Sequence, residues 1–162
     1  MPEVIVNTSP IQYLFQLDLL DLLPHLYGHI IIPRAVSEEI DRGRMMGVDL
    51  PDLSTLSWAH IAVPHNLVLF PLTNGLGRGE LQVIAIAKEI PDHLALLDDR
   101  RARRFADLLG IRYTGTLGLL IKAKQAGYLD RLAPVCDRLV ECGFRLRPET
   151  RHAVLTMTGE MD

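Results

Sequence analysis

Six residues carry the chemistry this sequence could perform: Asn7, Glu39, Glu80, Asp98, Asp99 and Thr116. Each lies where an apolar run ends or a helical pattern begins. The plainest case is Leu94-Ala95-Leu96-Leu97-Asp98-Asp99, an apolar run that meets adjacent carboxylates. A short run so bounded fits a buried parallel strand. In open α/β sheets, ligand chemistry gathers beyond the carboxyl ends of such strands. Carboxylates brought within about 4–6 Å repel one another, and their pKa values rise unless something offsets the charge. A divalent cation does so. Mg²⁺ and Mn²⁺ favour oxygen ligands and are held by one or two carboxylates with water and substrate phosphate. A metal held in this way can activate water and stabilise in-line displacement at phosphorus.

The elements that must position these residues follow from periodicity. Residues 3–7 read as a short β-branched strand. Thr8-Ser9-Pro10 signals a helix start, with Ile11, Leu14, Phe15 and Leu19 on one face and a break near Pro24. A second strand covers 29–32. Pro33 ends it and opens a helix through Ala35, Val36, Glu39 and Ile40. Residues 43–51 read as loop and 53–56 as a short helical turn. Residues 58–63 read as a polar-interrupted edge strand, and 65–79 as mostly loop. Residues 81–89 are apolar nearly all round, and their alanines favour a buried helix over a strand. The strand at 94–98 is followed by a helix over 100–109 that Gly110 caps. A short strand at 111–113 and a turn at 114–118 lead into a helix ending near Gly127. A helix over 129–142 is expected to be interrupted near Pro134, 144–146 to be extended, and 148–157 to form the last helix. Strands alternating with helices predict an α/β fold with a mostly parallel sheet.

The totals narrow the class. A chain of 162 residues suits one domain, taken here as 1–158 with a frayed tail at 159–162. Cys136 and Cys142 lie on different faces of one expected helix, which argues against a disulfide and for packing in a reducing compartment. No apolar run reaches membrane-spanning length and no targeting segment is read, so a cytoplasmic location is expected. A net charge of −3 gives no global attraction to nucleic acid, leaving any such binding to a local patch. Arg100, Arg101, Arg103 and Arg104 form that patch. Arg100, Arg101 and Arg104 are read as RNA phosphate contacts, set against the plainer reading of a solvated helix face. Arg78 is a weaker candidate. The six histidines have no paired ligand spacing. The glycines at 75, 77 and 79 lack the preceding strand that a dinucleotide site needs. Ser9 has no nucleophile-elbow context.

The order of the motifs resembles the PIN-domain family, most closely its small, stand-alone, toxin-like (VapC-like) prokaryotic members. The matching pieces are VIVNTSP (4–10), IPRAVSEEI (32–40), GLGRGELQVIAIA (75–87), LLDDRRARRFADLLG (96–110) and TGTLGLL (114–120). The resemblance implies a three-layer α/β/α sandwich with a central, mostly parallel sheet. It also implies a metal-dependent ribonuclease using Mg²⁺ or Mn²⁺, often the toxin of a toxin–antitoxin pair. RNA, a small antitoxin protein and a second copy of the chain are the implied partners. The acidic pattern of the family falls on Asn7, Glu39, Glu80 and Asp99, with Asp98 alongside as a possible metal ligand. Glu39, Glu80, Asp99 and Thr116 then form the catalytic set, and Thr8 and Ser9 match the hydroxyls after the first acidic position. Asn7 departs from the pattern: its amide carbonyl can ligate a hard cation, but without charge. Two further readings stay open: a PIN-fold module that binds RNA or antitoxin with weak or lost catalysis, and an unrelated doubly wound protein binding a phosphorylated ligand.

Overall fold

The aliphatic runs form a parallel sheet buried on both faces. The computed structural model describes residues 1–66 and 75–160. Among these residues there are five strands: β1 (Glu3–Val6), β2 (Ile30–Pro33), β3 (Ala59–Ala62), β4 (His93–Leu96) and β5 (Tyr113–Thr114). All pair in parallel, in the order β3-β2-β1-β4-β5. The helices are α1 (Thr8–Gln16), α2 (Leu22–Tyr27), α3 (Arg34–Met45), α4 (Arg78–Glu89), α5 (Arg100–Leu108), α6 (Thr116–Gln125), α7 (Ala133–Glu141) and α8 (Pro148–Met157). The chain adopts the expected α/β/α sandwich. Among the described residues no helix is long and apolar enough to cross a membrane.

Val4, Ile5, Val6, Ile30, Ile32, Ala95 and Leu96 are fully buried, as central strands covered on both faces require. At the edge, β3 keeps His60 and Ile61 exposed. The ambiguous apolar stretch is α4, which packs on β1, β2 and β4. Its Ala85 and Ala87 are buried, and their small side chains permit a close approach to the sheet. Strand order reverses between β1 and β4, so the crevice beyond their carboxyl ends is the topological switch point where such folds bind ligands.

Several boundaries differ from the expectation. Pro24 does not break a helix. It lies in the first turn of α2, where a missing N–H costs nothing, and the true break is the turn at residues 17–21, with Asp18 at φ 58°. Pro134 likewise starts α7 and does not interrupt a longer helix. Helix α4 already includes Arg78 and Gly79, expected to be loop, while residues 67–74 of that expected loop lie outside the described residues. Strand β4 stops at Leu96, so Asp98 leaves the sheet. Nor is the tail loose at Glu160. Its carboxylate accepts hydrogen bonds from Lys124 Nζ at 2.6 Å and from the Ala133 N–H at 3.0 Å, and also from the Leu132 N–H. Residues 161–162 lie outside the described residues.

Candidate active site

The switch-point crevice is lined from both sides. On the β1 side, Asn7 leaves the central strand, buried to 6% exposure, with its N–H bonded to the Leu96 carbonyl at 3.1 Å. It stands at the N-cap of α1, yet its side chain forms no capping hydrogen bond. The next residue, Thr8, donates its hydroxyl to Glu39 Oε2 at 2.5 Å. Glu39 Oε1 accepts the Gly79 N–H at 3.2 Å. A Cβ on Gly79 would lie 2.8 Å from that oxygen and 3.1 Å from Val36 Cγ2, so the contact depends on glycine. Helices α3 and α4 are joined again by Gln82, buried, whose Oε1 accepts the Ala35 N–H at 2.9 Å and replaces a missing cap on α3.

Glu80 follows Gly79 in the first turn of α4. Its Oε1 accepts the Gly77 N–H at 3.3 Å, and its Oε2 is buried without a hydrogen-bond partner. Burial, the Asp99 charge, a hydrogen bond shared with the Asp99 carboxyl and the Glu39 charge push the Glu80 carboxyl up to about 7, against a smaller downward pull from the Gly77 N–H. Asp99 caps α5, its Oδ2 accepting the Ala102 N–H at 2.9 Å. Its Oδ1 takes no part in that cap. Thus Glu39, Glu80 and Asp99, far apart in the sequence, share one electrostatic environment.

The adjacent Asp98 faces the other way. Its Oδ1 accepts the Thr116 N–H at 2.8 Å and its Oδ2 the Thr116 hydroxyl at 2.7 Å. Thr116 is fully buried, so the structure gives it Asp98 as partner and no open face. Arg103 secures this half. Its Nε donates to the Leu97 carbonyl at 2.8 Å, and its guanidinium lies 5.3 Å from the centre of the Tyr113 ring. A Cβ on Gly115 would collide with Arg103 Nη2 and stand 2.7 Å from Asp98 Oδ1. Across the crevice, burial and then the Asp98 charge raise the pKa of Tyr13.

Arg100, Arg101 and Arg104 are exposed on α5, and none is in an ion pair among the described residues. The weaker candidate Arg78 is paired with Glu38 at 3.6 Å. His93 is a satisfied core residue. Its Nδ1 donates to the Ile90 carbonyl at 2.6 Å and its Nε2 accepts the Arg112 N–H at 3.1 Å, which assigns the neutral tautomer. Gly79, Gln82, Arg103 and Tyr13 were missed as site-building residues. The glycine directly before Glu80 and the arginine set apart in the basic run were the available signals.

Among the described residues, no three of His, Cys, Asp and Glu form a ready-made ion cage. The donor set still suits a hard cation. Glu80 offers a buried oxygen without a partner, and Mg²⁺ is usually held by one or two carboxylates with the rest of its shell filled by water and phosphate.

A doubly wound α/β domain with an acidic site at its switch point is thus defined. The family model that matches, DUF3368, describes a PIN domain and covers residues 3–160. The chain belongs to the PIN-domain family. PIN domains are typically nucleases that bind nucleic acid and use divalent metal ions. No curated protein matches the chain.

Proposed function

We propose that this protein is a metal-dependent ribonuclease that hydrolyses RNA phosphodiester bonds. The observation that carries the reading is Glu80: a half-buried carboxyl, raised to about 7, with one oxygen unpartnered and with Asp99 and Glu39 as its charged neighbours. Such clustering marks functional sites more often than structural ones. Glu39, Glu80 and Asp99 would hold Mg²⁺ or Mn²⁺, with Asn7 adding an uncharged oxygen and Asp98 available from the other side. When bound, the ion supplies the charge that offsets these carboxylates and the Lewis acidity that activates water and phosphate. Thr8 and Gly79 orient Glu39. Thr116 holds Asp98, and Arg103 holds the chain at Leu97. Arg100, Arg101 and Arg104 bind flanking phosphates, which makes affinity fall with salt.

In this reading the protein is cytoplasmic and acts as the toxin of a toxin–antitoxin pair, restrained by a small antitoxin protein and able to pair with a second copy. The support for that extension is its small, single-unit build and its resemblance to toxin-like members. Asn7 favours one rival, a PIN module that binds RNA or antitoxin with little catalysis, because the central position carries no charge.

The test is cleavage of a mixed RNA pool by chelator-stripped protein given Mg²⁺ or Mn²⁺. Wild type is expected to cleave, and Glu80→Gln and Asp99→Asn to lose about a hundredfold or more. Activity in Asn7→Asp but not in wild type would favour the silenced module. Inert protein in all forms, with no Mn²⁺ bound, would end the ribonuclease reading.

A further inference from the structure

Helix α5 presents two unlike faces. Ala102 and Ala106 are buried against the domain. Arg101, Arg104, Phe105 and Leu108 follow the i, i+3, i+4, i+7 spacing and line an open groove of about 300 Å³. That volume is at the lower end of those that hold small ligands. Leu108 is 82% exposed. Arg101 reaches toward the segment that leads into α4: a Cβ on Gly75 would lie 2.8 Å from its Nη1. The groove is therefore continuous with the Glu80 side of the crevice. Its far end is also fixed relative to Asp99. Nine residues separate the α5 cap from Leu108, which at 1.5 Å per residue is about 13 Å along the axis.

We propose that this stripe seats an unstacked base of single-stranded RNA, on a nucleotide flanking the scissile phosphate. The inference rests on the ribonuclease reading and names its substrate class. An apolar surface between planar cations fits a base, which offers a π-face, followed by a phosphate, which offers charge. A duplex keeps its bases stacked and cannot offer one to such a groove. Asp107, the acidic residue of α5, is turned to the Tyr113 hydroxyl.

The experiment measures the affinity of the full chain, in chelator so that nothing is cleaved, for fluorescein-labelled mixed-sequence RNA. The RNA is single-stranded, duplex, or single-stranded with abasic positions. Leu108→Ser is expected to weaken single-strand binding about tenfold, with an unchanged salt slope, and to match wild type on abasic and duplex RNA. Arg104→Ala is expected to weaken binding to all three and to reduce the salt slope by about one. The proposal is overturned if Leu108→Ser binds single strands as wild type does, or loses equally on abasic and duplex RNA. A change in oligomeric state with RNA affinity untouched would assign the stripe to a protein contact and equally overturn it. Cleavage by wild type with an indifferent Leu108→Ser sinks this inference alone. Wild type that neither binds nor cleaves RNA sinks the ribonuclease reading with it.

Discussion

Glu80 and Glu160 are both withdrawn from water at the start of a helix, and they titrate at opposite extremes. Glu80 is raised to about 7 by burial and by the Asp99 and Glu39 carboxylates. Burial also raises Glu160, but hydrogen bonds from Lys124 and from the Ala133 and Leu132 N–H groups, with the Lys124 charge, outweigh it and hold the carboxyl at about 2. The backbone geometry is similar: each glutamate accepts N–H groups at a helix N-terminus, where anions are favoured. What differs is the sign of the neighbours. Around Glu160 the protein supplies the counter-charge itself. Around Glu80 it places more negative charge and leaves an oxygen without a partner. One carboxylate is a finished structural clamp joining α6, α7 and the end of α8. The other is a centre that a cation from solution would complete.

Removing the clamp should have the largest effect on stability. Glu160→Ala strands Lys124, which is 18% exposed, and unpairs the first N–H groups of α7. The expected loss is about 3 kcal/mol at pH 7, read by urea denaturation. The depressed carboxyl contributes its stability above the ordinary value of 4.5 and loses it as pH falls toward 2. The gap between wild type and Glu160→Ala should therefore close across that window. A gap that stays constant down to pH 2 would mean that packing, and not charge, makes the clamp.

The strands, the α4 helix and the placing of acidic residues at strand ends were legible because they depend on local periodicity. Val4-Ile5-Val6 followed by Asn7-Thr8-Ser9-Pro10 states a strand, an exit and a helix start within a few residues. The division of labour between Asp98 and Asp99 was not legible. It arises because β4 ends at Leu96, so the chain turns and sends one carboxylate to Thr116 and the other to Glu80. Gln82 capping α3 is a contact across 47 residues, and Gly79 bonding Glu39 spans 40. Neither leaves a periodic trace. Glu160 looked like tail for the same reason: all its partners come from α6 and from the start of α7.

Gly79→Ala sharpens the comparison from the other side, with an expected cost of about 1–3 kcal/mol. The added methyl meets Glu39 Oε1 and Val36 Cγ2 inside ordinary contact. Glu39 must then swing away from Thr8 and the Gly79 N–H. The stability loss should come with weaker Mn²⁺ binding by calorimetry, because the carboxylate group has lost its third member. A variant as destabilised as expected, but with Mn²⁺ affinity intact, would show that Glu39 is not needed to hold the ion.

The smallest effect is also the one whose sign separates the two glutamates. A carboxyl whose folded pKa is raised binds more protons folded than unfolded between 4.5 and about 7. Wild-type stability should therefore fall as pH rises through that window and level off above it. Glu80→Gln removes this slope, so without metal at pH 8 the variant should be the more stable protein. Glu80 is about half exposed, and solvent screening limits the gain to several tenths of a kcal/mol up to about 1 kcal/mol. Saturating Mn²⁺ should reverse the order. A ligand held a hundredfold above its Kd adds about 2.7 kcal/mol to the form that binds it, and Glu80→Gln has lost a charged ligand. Thermal melts of both proteins at pH 5 and pH 8, with and without Mn²⁺, read all of this. If the melts of wild type and Glu80→Gln stay parallel throughout, the crowding of carboxylates at the switch point has no energetic consequence, and Glu80 would be as structural as Glu160.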